Sequence, residues 1–199
     1  MPDAVVHLID DDEHVRRALA FLLGTAGFAV KVYESASIFL EKFEQGSNGC
    51  IVSDVRMPGI DGLQLLKRLK KLGARTPVII MTGHADVALA VEAMKAGAVD
   101  FIEKPFPDEK LISAIRNALA MGDRTQAAGD AEQVRARLAT LSQREREVLD
   151  GLLAGHPNKT IAFDLGLSPR TVEVHRANVM TKMGASSLSE LVRMTLSAG

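Results

Sequence analysis

Between residues 5 and 121 the sequence alternates five times between a short run of apolar, often β-branched residues and an amphipathic stretch of helical period. This alternation is typical of a parallel sheet with helices on both faces, because a parallel strand pair needs a crossover connection, usually a helix. The strands are predicted at 5–9, 29–33, 50–54, 78–82 and 98–103, and the helices at 14–25, 36–44, 62–71, 87–96 and 108–121. Five βα units of an α/β fold result.

The pattern changes after residue 121. Residues 122–133 have few large apolar side chains and no strand pattern, so they predict a linker. Beyond them only helical periodicity remains, with helices predicted at 142–154, 158–165, 169–182 and 187–197 and a further one starting near Val134. We therefore expect one domain at 1–122, a linker at 123–136 and an all-helical domain at 137–199.

Composition excludes several classes of protein. Hydrophobic residues make up 47% and charged residues 25% of the chain, as in globular proteins rather than disordered ones. No apolar run approaches the roughly 18 residues of a membrane span, and Asp3 and His7 make the first residues unlike a secretory signal. A cytoplasmic protein without membrane contact is predicted. The single Cys50 excludes an internal disulfide and a cysteine zinc site.

The small net charge hides a difference between the two parts of the chain. Residues 1–123 hold 14 Lys and Arg against 17 Asp and Glu, whereas residues 124–199 hold 10 against 8. The second part is therefore mildly basic. This excess is too small to establish nucleic-acid binding, for which a strongly basic surface is the more persuasive signal.

Acidic side chains follow two of the predicted strands where each strand ends. Asp10, Asp11 and Asp12 come directly after the first strand, and Asp54 ends the third. Because the carboxyl ends of neighbouring strands converge on one crevice in a doubly wound sheet, these side chains should meet. Carboxylates held close together need a proton or a shared cation, and oxygen ligands without His or Cys suit Mg²⁺. The sequence therefore predicts a magnesium site.

A hydroxyl and an ammonium reach the same crevice, since Thr82 ends the fourth strand and Lys104 the fifth. The combination suits phosphoryl transfer: a carboxylate forms an acyl phosphate while Mg²⁺ and Lys offset charge on the transferred oxygens. An acidic residue after a strand also commonly caps the next helix, and for Asp12 both interpretations stay open. The isomer of the Lys104–Pro105 bond stays open as well.

These residues resemble the receiver domain of two-component response regulators. The resemblance covers residues 4–121 and is carried by four motifs: Asp10-Asp11, Asp54 within SDVRMPGIDG, Thr82-Gly83 and Lys104-Pro105. It implies a flavodoxin-like (βα)5 fold in which Asp54 accepts a phosphoryl group. It also implies that Asp11, Asp54 and the backbone carbonyl of Arg56 bind Mg²⁺ with the assistance of Asp10.

The resemblance also implies a switch. Thr82 and Lys104 would contact the phosphoryl group, and Phe101 takes the position of the switch aromatic residue. Many family members have Tyr at that position, so any hydroxyl contribution is missing here, while inward rotation of the ring remains available.

The segment around residue 168 has a strong helix start. Ser168 is a favoured N-cap and Pro169 a favoured first residue, and Gly166 ends the preceding helix. At 100° per residue one side of the new helix should be core, formed by Val172, His175, Val179 and Met183. The opposite side carries small or slender groups at Arg170, Val174, Ala177 and Thr181. That side would fit a major groove, although a generic helical hairpin shows the same period.

The segments LSQREREVL and NKTIAFDLGLSPRTVEVHRANVMTKM resemble a LuxR-type helix-turn-helix over residues 140–197. Together with the receiver pattern they imply the NarL/FixJ subfamily, with recognition helix 169–182. The expected DNA-binding residues are Lys159, Arg170, Thr171, Glu173, Val174, Arg176, Ala177, Asn178 and Lys182. Val174 and Ala177 suit thymine methyl groups, Glu173 suits cytosine N4, and the cations suit phosphates.

The resemblance implies a transcriptional regulator switched on by phosphorylation. Its expected partners are a sensor histidine kinase, by resemblance the oxygen-responsive FixL, promoter DNA of nitrogen-fixation or low-oxygen genes, RNA polymerase, and a second phosphorylated copy of itself. Val91, Lys95 and Ala98 are the candidate dimer contacts. The chain would then be no enzyme beyond its own phosphorylation and dephosphorylation.

Two other functions remain open from the sequence. The spacing of Asp10 and Asp12 also suits a Mg²⁺-dependent phosphatase of the haloacid dehalogenase kind, although five βα units leave no substrate cap. A receiver that acts only through protein contacts, with the helical tail as a docking bundle, is the other alternative.

Overall fold

The computed structural model describes residues 4–44, 49–83, 87–121 and 127–198. Its strands are β1 (Val5–Ile9), β2 (Ala29–Tyr33), β3 (Gly49–Asp54), β4 (Val78–Thr82) and β5 (Asp100–Glu103). Its helices are α1 (Glu13–Thr25), α2 (Ala36–Lys42), α3 (Gly62–Lys71), α4 (Val87–Lys95), α5 (Asp108–Met121), α6 (Ala127–Ala139), α7 (Gln143–Leu153), α8 (Asn158–Leu165), α9 (Pro169–Met183) and α10 (Leu188–Ala198). In these ranges no helix is long and apolar enough to cross a bilayer.

The five strands form one parallel sheet in the order β2-β1-β3-β4-β5. Strand order reverses between β1 and β3, which is the topological switch point of a flavodoxin-like sheet. The register pairs Ile9 with Ser53, so the residues that follow β1 and those that end β3 lie side by side. The α/β prediction is confirmed, and the crevice lies where the sequence places its carboxylates.

The described residues fall into two compact units. One contains the five strands with α1, α2, α3 and α5, and the other contains α6 to α10 together with α4. The expected domain boundary at 122–123 lies outside the described residues, so the limits 1–122, 123–136 and 137–199 stay predictions.

The first unit has its core on the central strands, since every residue of β3 and β4 is buried. A cluster on one face of the sheet joins strand residues such as Val52 and Met81 to Leu23 of α1 and Ile115 of α5. By contrast β2 is an edge strand with exposed residues, including Lys31 and Val32. A buried β3 holds the position of Asp54 at its end.

The second unit is all helical, as predicted. Ser142 and Glu145 form a capping box at the start of α7, and Ser168 caps α9 by accepting the N–H of Thr171. Left-handed Gly166 ends α8 and allows the tight turn into α9. The core joins α7, α8 and α9 through buried residues such as Val148, Ile161, Val172, Val179 and Met183.

Several element bounds differ from the prediction, and two of these differences have a clear physical cause. Strand β5 begins at Asp100 rather than at residue 98, because Gly97 has φ of 95° and pairing with β4 starts only at Asp100. Helix α6 begins at Ala127, inside the segment predicted as a linker. That segment lacks large apolar side chains but is rich in Ala, the best helix former, so its helical propensity was underestimated.

A buried aromatic cluster joins β1 to the edge strand. His7 is 7% exposed, its Nδ1 lies 3.1 Å from the hydroxyl of Tyr33, and Phe39 of α2 packs edge-on against both rings. Within the described part of the chain, Nε2 of His7 is buried with no hydrogen-bond partner. Burial first, and then the charge of Lys31 opposite on β2, lowers the pKa of His7.

This cluster predicts acid sensitivity. Because the pKa of His7 is lower in the folded than in the unfolded chain, the unfolded chain binds the proton more tightly, and the free energy of unfolding falls as the pH drops below 6.5. The non-titrating variant His7→Asn should lose less of its own stability over that range. Urea unfolding of both proteins at about pH 7.5 and about pH 5.5 measures the two differences. Equal losses would show that His7 does not contribute.

Candidate functional site

One ammonium group joins the carboxylates that follow β1 and end β3. Lys104 Nζ donates to Asp10 Oδ2 at 2.8 Å and to Asp54 Oδ1 at 2.6 Å. Asp10 is 1% and Asp54 8% exposed, whereas the side chain of Lys104 is 24% exposed at the crevice mouth. The structure thus brings together three of the side chains that the sequence selects from three different strand ends.

Backbone hydrogen bonds fix Asp10. Its N–H donates to Tyr33 O at 3.3 Å on the edge strand, and its Oδ1 accepts the N–H of Asp12 at 3.0 Å. Arg16 of α1 donates to the carbonyl oxygen of Asp10 at 2.6 Å. Sequence reasoning missed Arg16, since a basic residue in the second turn of a helix carries no signal of its own that it reaches back to the strand end.

Backbone hydrogen bonds also fix the end of β3. Asp54 Oδ2 accepts the N–H of Arg56 at 2.6 Å, and Val55 donates to Met81 O of β4 at 2.8 Å. Gly62, the first residue of α3, donates to Val55 O at 2.9 Å. A Cβ at Gly62 would overlap the carbonyl oxygen of Asp54, so the close approach of α3 to the phosphoacceptor candidate requires glycine.

The pKa values of Asp10 and Lys104 are both raised, but by different causes. Burial raises the pKa of Asp10, and the hydrogen bond and charge of Lys104 offset only part of that rise. Burial by itself would lower the pKa of Lys104, but its hydrogen bonds to Asp10 and Asp54 outweigh burial and raise it. Lys104 therefore stays a cation, while Asp10 is poised to take up a proton more readily than an exposed carboxyl group.

The two other residues expected at the crevice lie on β4 and β5. Thr82 is fully buried at the end of β4, and its carbonyl oxygen accepts the N–H of Lys104 at 2.7 Å. Phe101 on β5 is half-buried. The Lys104–Pro105 peptide is cis, which settles the isomer that the sequence left open.

The donor set of the crevice suits a hard cation. Asp54 and Asp10 contribute carboxylate oxygens, and Asp11 beside them is exposed. In the described ranges no three His, Cys, Asp or Glu side chains are grouped closely enough to hold a metal ion by themselves. A site built from Asp11, Asp54 and the Arg56 carbonyl would use only two carboxylates and one backbone oxygen. Oxygen donors alone, with negative charge in excess of one Lys, fit Mg²⁺.

Asp12 has a structural role. Its side chain accepts the N–H groups of His14 at 2.8 Å and Val15 at 3.2 Å and so caps α1. These two backbone donors lower the pKa of Asp12. The interpretation of Asp12 as a helix cap, which the sequence left open, is confirmed. A phosphatase mechanism would use this same carboxylate as its second acid, but here the carboxylate accepts two backbone N–H groups of α1.

Helix α9 has two distinct faces. Val172, Val179 and Met183 are fully buried, as predicted, and Arg170, Val174, Ala177 and Thr181 on the opposite side are exposed. His175 is half-buried, and its buried Nδ1 has no hydrogen-bond partner within the described ranges. The outer face carries little bulk, which leaves room for a groove to approach it.

The polar residues expected to meet DNA differ in their surroundings. Lys159 and Asn178 are exposed, and Arg170 lies 3.5 Å from Glu173 in an exposed ion pair. Thr171 bonds the hydroxyl of Ser168, and Arg176 makes a long contact of 3.5 Å with Asn158. Lys182 instead donates to Glu145 at 2.7 Å. Glu145 was missed as a functional residue, although the capping-box spacing Ser142–Glu145 marks it in the sequence.

The candidate dimer contacts are unequally accessible. Val91 is 3% and Ala98 4% exposed, whereas Lys95 at the end of α4 is exposed. Of the three, only Lys95 offers a free surface to a partner in this structure.

Comparison with known proteins matches both parts of the chain. The response regulator receiver domain matches residues 6–116, and the LuxR family of bacterial regulatory proteins matches residues 139–195. The chain is 59% identical to the transcriptional regulatory protein FixJ of Azorhizobium caulinodans, over all of this chain and 95% of that protein. It is 56% identical to FixJ of Rhizobium meliloti, over all of this chain and 98% of that protein.

A solved structure covers the full length as well. Full-length FixJ from B. japonicum matches with a TM-score of 0.58 and 51% identity, over 100% of this chain and 98% of that one. The match includes both the sheet and the helical unit.

The close approach of Gly62 to the carbonyl oxygen of Asp54 predicts that even an alanine at position 62 destabilises the fold. Gly62→Ala should lower the free energy of unfolding by about 1–3 kcal/mol, because the added methyl group overlaps rigid backbone. Gly24→Ala is the matched control: it lies in α1, has no atom within 4 Å of the added Cβ, and should stabilise the helix by about 0.5–1 kcal/mol. Urea unfolding measures both; equal effects would contradict the steric account.

The Lys104 bridge predicts a pKa change that NMR can follow. Lys104→Met removes the cation that partly offsets burial, so the pKa of Asp10 should rise further. A ¹³C carboxyl titration of Asp10 in both proteins measures it. Asp12 serves as the internal control, since its pKa depends mainly on backbone donors and should move much less. An unchanged Asp10 midpoint would show that Lys104 does not stabilise its charge.

Proposed function

The chain belongs to the response regulators of the NarL/FixJ type, which join a receiver domain to a LuxR-type DNA-binding domain, and on that basis we propose that phosphorylation of Asp54 controls its binding to promoter DNA. The observation that carries the proposal is the Lys104 ammonium shared by Asp10 and Asp54. A cation beside an acceptor carboxylate is what phosphoryl transfer needs, because charge on the transferred oxygens must be offset.

In the proposed reaction a carboxylate oxygen of Asp54 attacks phosphorus and the bond to the donor breaks, with the donor's imidazole nitrogen as leaving group when a histidine kinase supplies it. Lys104, already at hydrogen-bond distance from Asp54, then donates to a phosphoryl oxygen. Asp11, Asp54 and the Arg56 carbonyl would hold Mg²⁺, assisted by Asp10. When bound, the ion offsets the negative charge of the phosphoryl oxygens.

The switch would run through β4 and β5. Thr82 is buried at the end of β4, so its hydroxyl needs only a local shift toward a phosphoryl group on neighbouring Asp54. Such a shift would free volume for the half-buried Phe101 ring to turn inward. A local change of charge would thereby bias a surface with two states.

Helix α9 is the proposed DNA-reading element. Val174, 52% exposed, and Ala177 suit thymine methyl groups, and Glu173 suits the N4 amino group of cytosine. Thr171 and Asn178 flank that face and complete the set of polar groups near the bases. Phosphate contacts are assigned to Lys159, Arg170 and Arg176, which would position α9 on the duplex without reading sequence.

The proposed partners follow from the relatives. Proteins named FixJ share more than half of their residues with this chain. The proposed partners are therefore an oxygen-responsive kinase of the FixL type, promoters of nitrogen-fixation or low-oxygen genes, and RNA polymerase. Activation of transcription is the proposed direction of regulation.

Phosphorylation would act in one of two ways. It would pair two receivers, which raises the affinity for DNA through effective concentration, or it would release an inhibited DNA-binding domain. Lys95 is exposed to a second copy, whereas Val91 and Ala98 are buried and would contribute to pairing only after a local rearrangement.

Intact-mass analysis tests the receiver chemistry. Incubation with Mg²⁺ and a small-molecule phosphodonor should add one phosphoryl group to the wild-type chain and none to Asp54→Asn, because the amide is a poor nucleophile. An adduct on the variant, or none on either protein, would refute the role of Asp54.

Sedimentation of the same samples separates the two routes of activation. Pairing of receivers predicts a dimer in the phosphorylated wild-type sample and a monomer in Asp54→Asn. A phosphorylated monomer with increased affinity for DNA would refute pairing and support release of inhibition.

A further inference from the structure

The C-terminal end of α9 is tied to the rest of its unit by two charged side chains. Lys182, on the last turn of α9, donates to Glu145 Oε2 at 2.7 Å and to Thr140 O at 3.3 Å. Arg137 of α6 donates to Met183 O at 2.7 Å and so satisfies one of the carbonyl groups left open at the helix end. Both contacts join residues more than 35 positions apart in the sequence.

Glu145 is placed for this contact by the start of α7. Its Oε2 accepts the N–H of Ser142 at 2.7 Å in the capping box and accepts Lys182 on the same oxygen. The side chain of Glu145 is only 6% exposed, against 39% for Lys182. The two hydrogen bonds lower the pKa of Glu145 to about 2, so it is a carboxylate near neutral pH.

The position of Lys182 near the end of α9 suggests a contact to a DNA phosphate, but in this structure its hydrogen bonds go to Glu145 and Thr140. Lys182 uses two of its three N–H donors on a nearly buried carboxylate and a carbonyl oxygen, so its charge is already offset inside the unit and these contacts hold its side chain in place. We infer that Glu145 and Lys182 form a latch that positions the recognition helix, and that Lys182 is a positioning residue rather than a contact to the DNA backbone. The inference rests on the proposed role of α9 in reading DNA.

Salt dependence separates the two roles of Lys182. Each Lys or Arg that neutralises a phosphate adds about 0.9 to the slope of log affinity against log salt, whereas a residue that only positions a helix changes affinity without changing the slope. A DNA duplex selected from a random-sequence pool by the wild-type chain, treated with Mg²⁺ and the small-molecule phosphodonor, provides the probe, and every variant is treated in the same way.

The variants preserve local structure. Lys182→Met keeps the aliphatic stem, and Glu145→Gln keeps an acceptor for the capping box while removing the charge. Each should weaken binding by about fivefold, and the double variant should be no more than about twofold worse than either, because residues in one contact are not additive. All three should keep the wild-type salt slope. Amide NMR signals of the last turns of α9 should shift in each variant while the remaining spectrum stays folded.

Lys159→Met is the matched comparison, as an exposed lysine proposed to meet phosphate, and should lower the slope by about 0.9. The latch is refuted if Lys182→Met lowers the slope in the same way, if Glu145→Gln binds as the wild-type chain does, or if the two losses multiply. A phosphorylated wild-type chain that selects no duplex would refute the proposed function, and with it the role of the latch in DNA reading.

Discussion

The ammonium of Lys104 lies between two carboxylates that the sheet forces together. Asp10 follows β1 and Asp54 ends the adjacent parallel strand β3, so the strand order brings two carboxylates that repel each other close together. The ammonium of Lys104, the residue after β5, offsets this repulsion at 2.8 and 2.6 Å. The buried strands, the glycine at position 62 and the backbone donors to both Asp residues all hold this arrangement in place. The crevice therefore keeps an excess of negative charge, which suits a divalent cation, while Lys104 is held where its ammonium can donate to the oxygens of an incoming group.

Much of this arrangement is predictable from the sequence because it depends on local patterns and one topological rule. Strand bounds at 5–9, 29–33 and 78–82 follow from β-branched runs between turn residues, and the convergence of the carboxylates follows from parallel order. The buried face of α9 follows from its period, with Val172, Val179 and Met183 all buried. The family assignment follows from motifs at the strand ends.

The contacts that sequence reasoning missed are those between distant residues with no periodic signature. Arg16 reaches the carbonyl of Asp10, and Glu145 reaches Lys182 across 37 positions. The position of Lys182 near the end of α9 suits a phosphate contact, and only its three-dimensional neighbours reveal an internal partner. The start of α6 was missed for another reason, since helical propensity in an Ala-rich segment competes with the lack of apolar residues that favoured a linker.

The separation of the two faces of α9 has a consequence for the choice of DNA sequence. The side chains that hold the helix in its core are distinct from Val174 and Ala177 on the exposed side, and the exposed side chains contribute little to packing. Substitutions on that side should cost little stability. In the proposed role of α9, a few substitutions on its exposed side would therefore change which DNA sequence is bound without disturbing the fold of the domain.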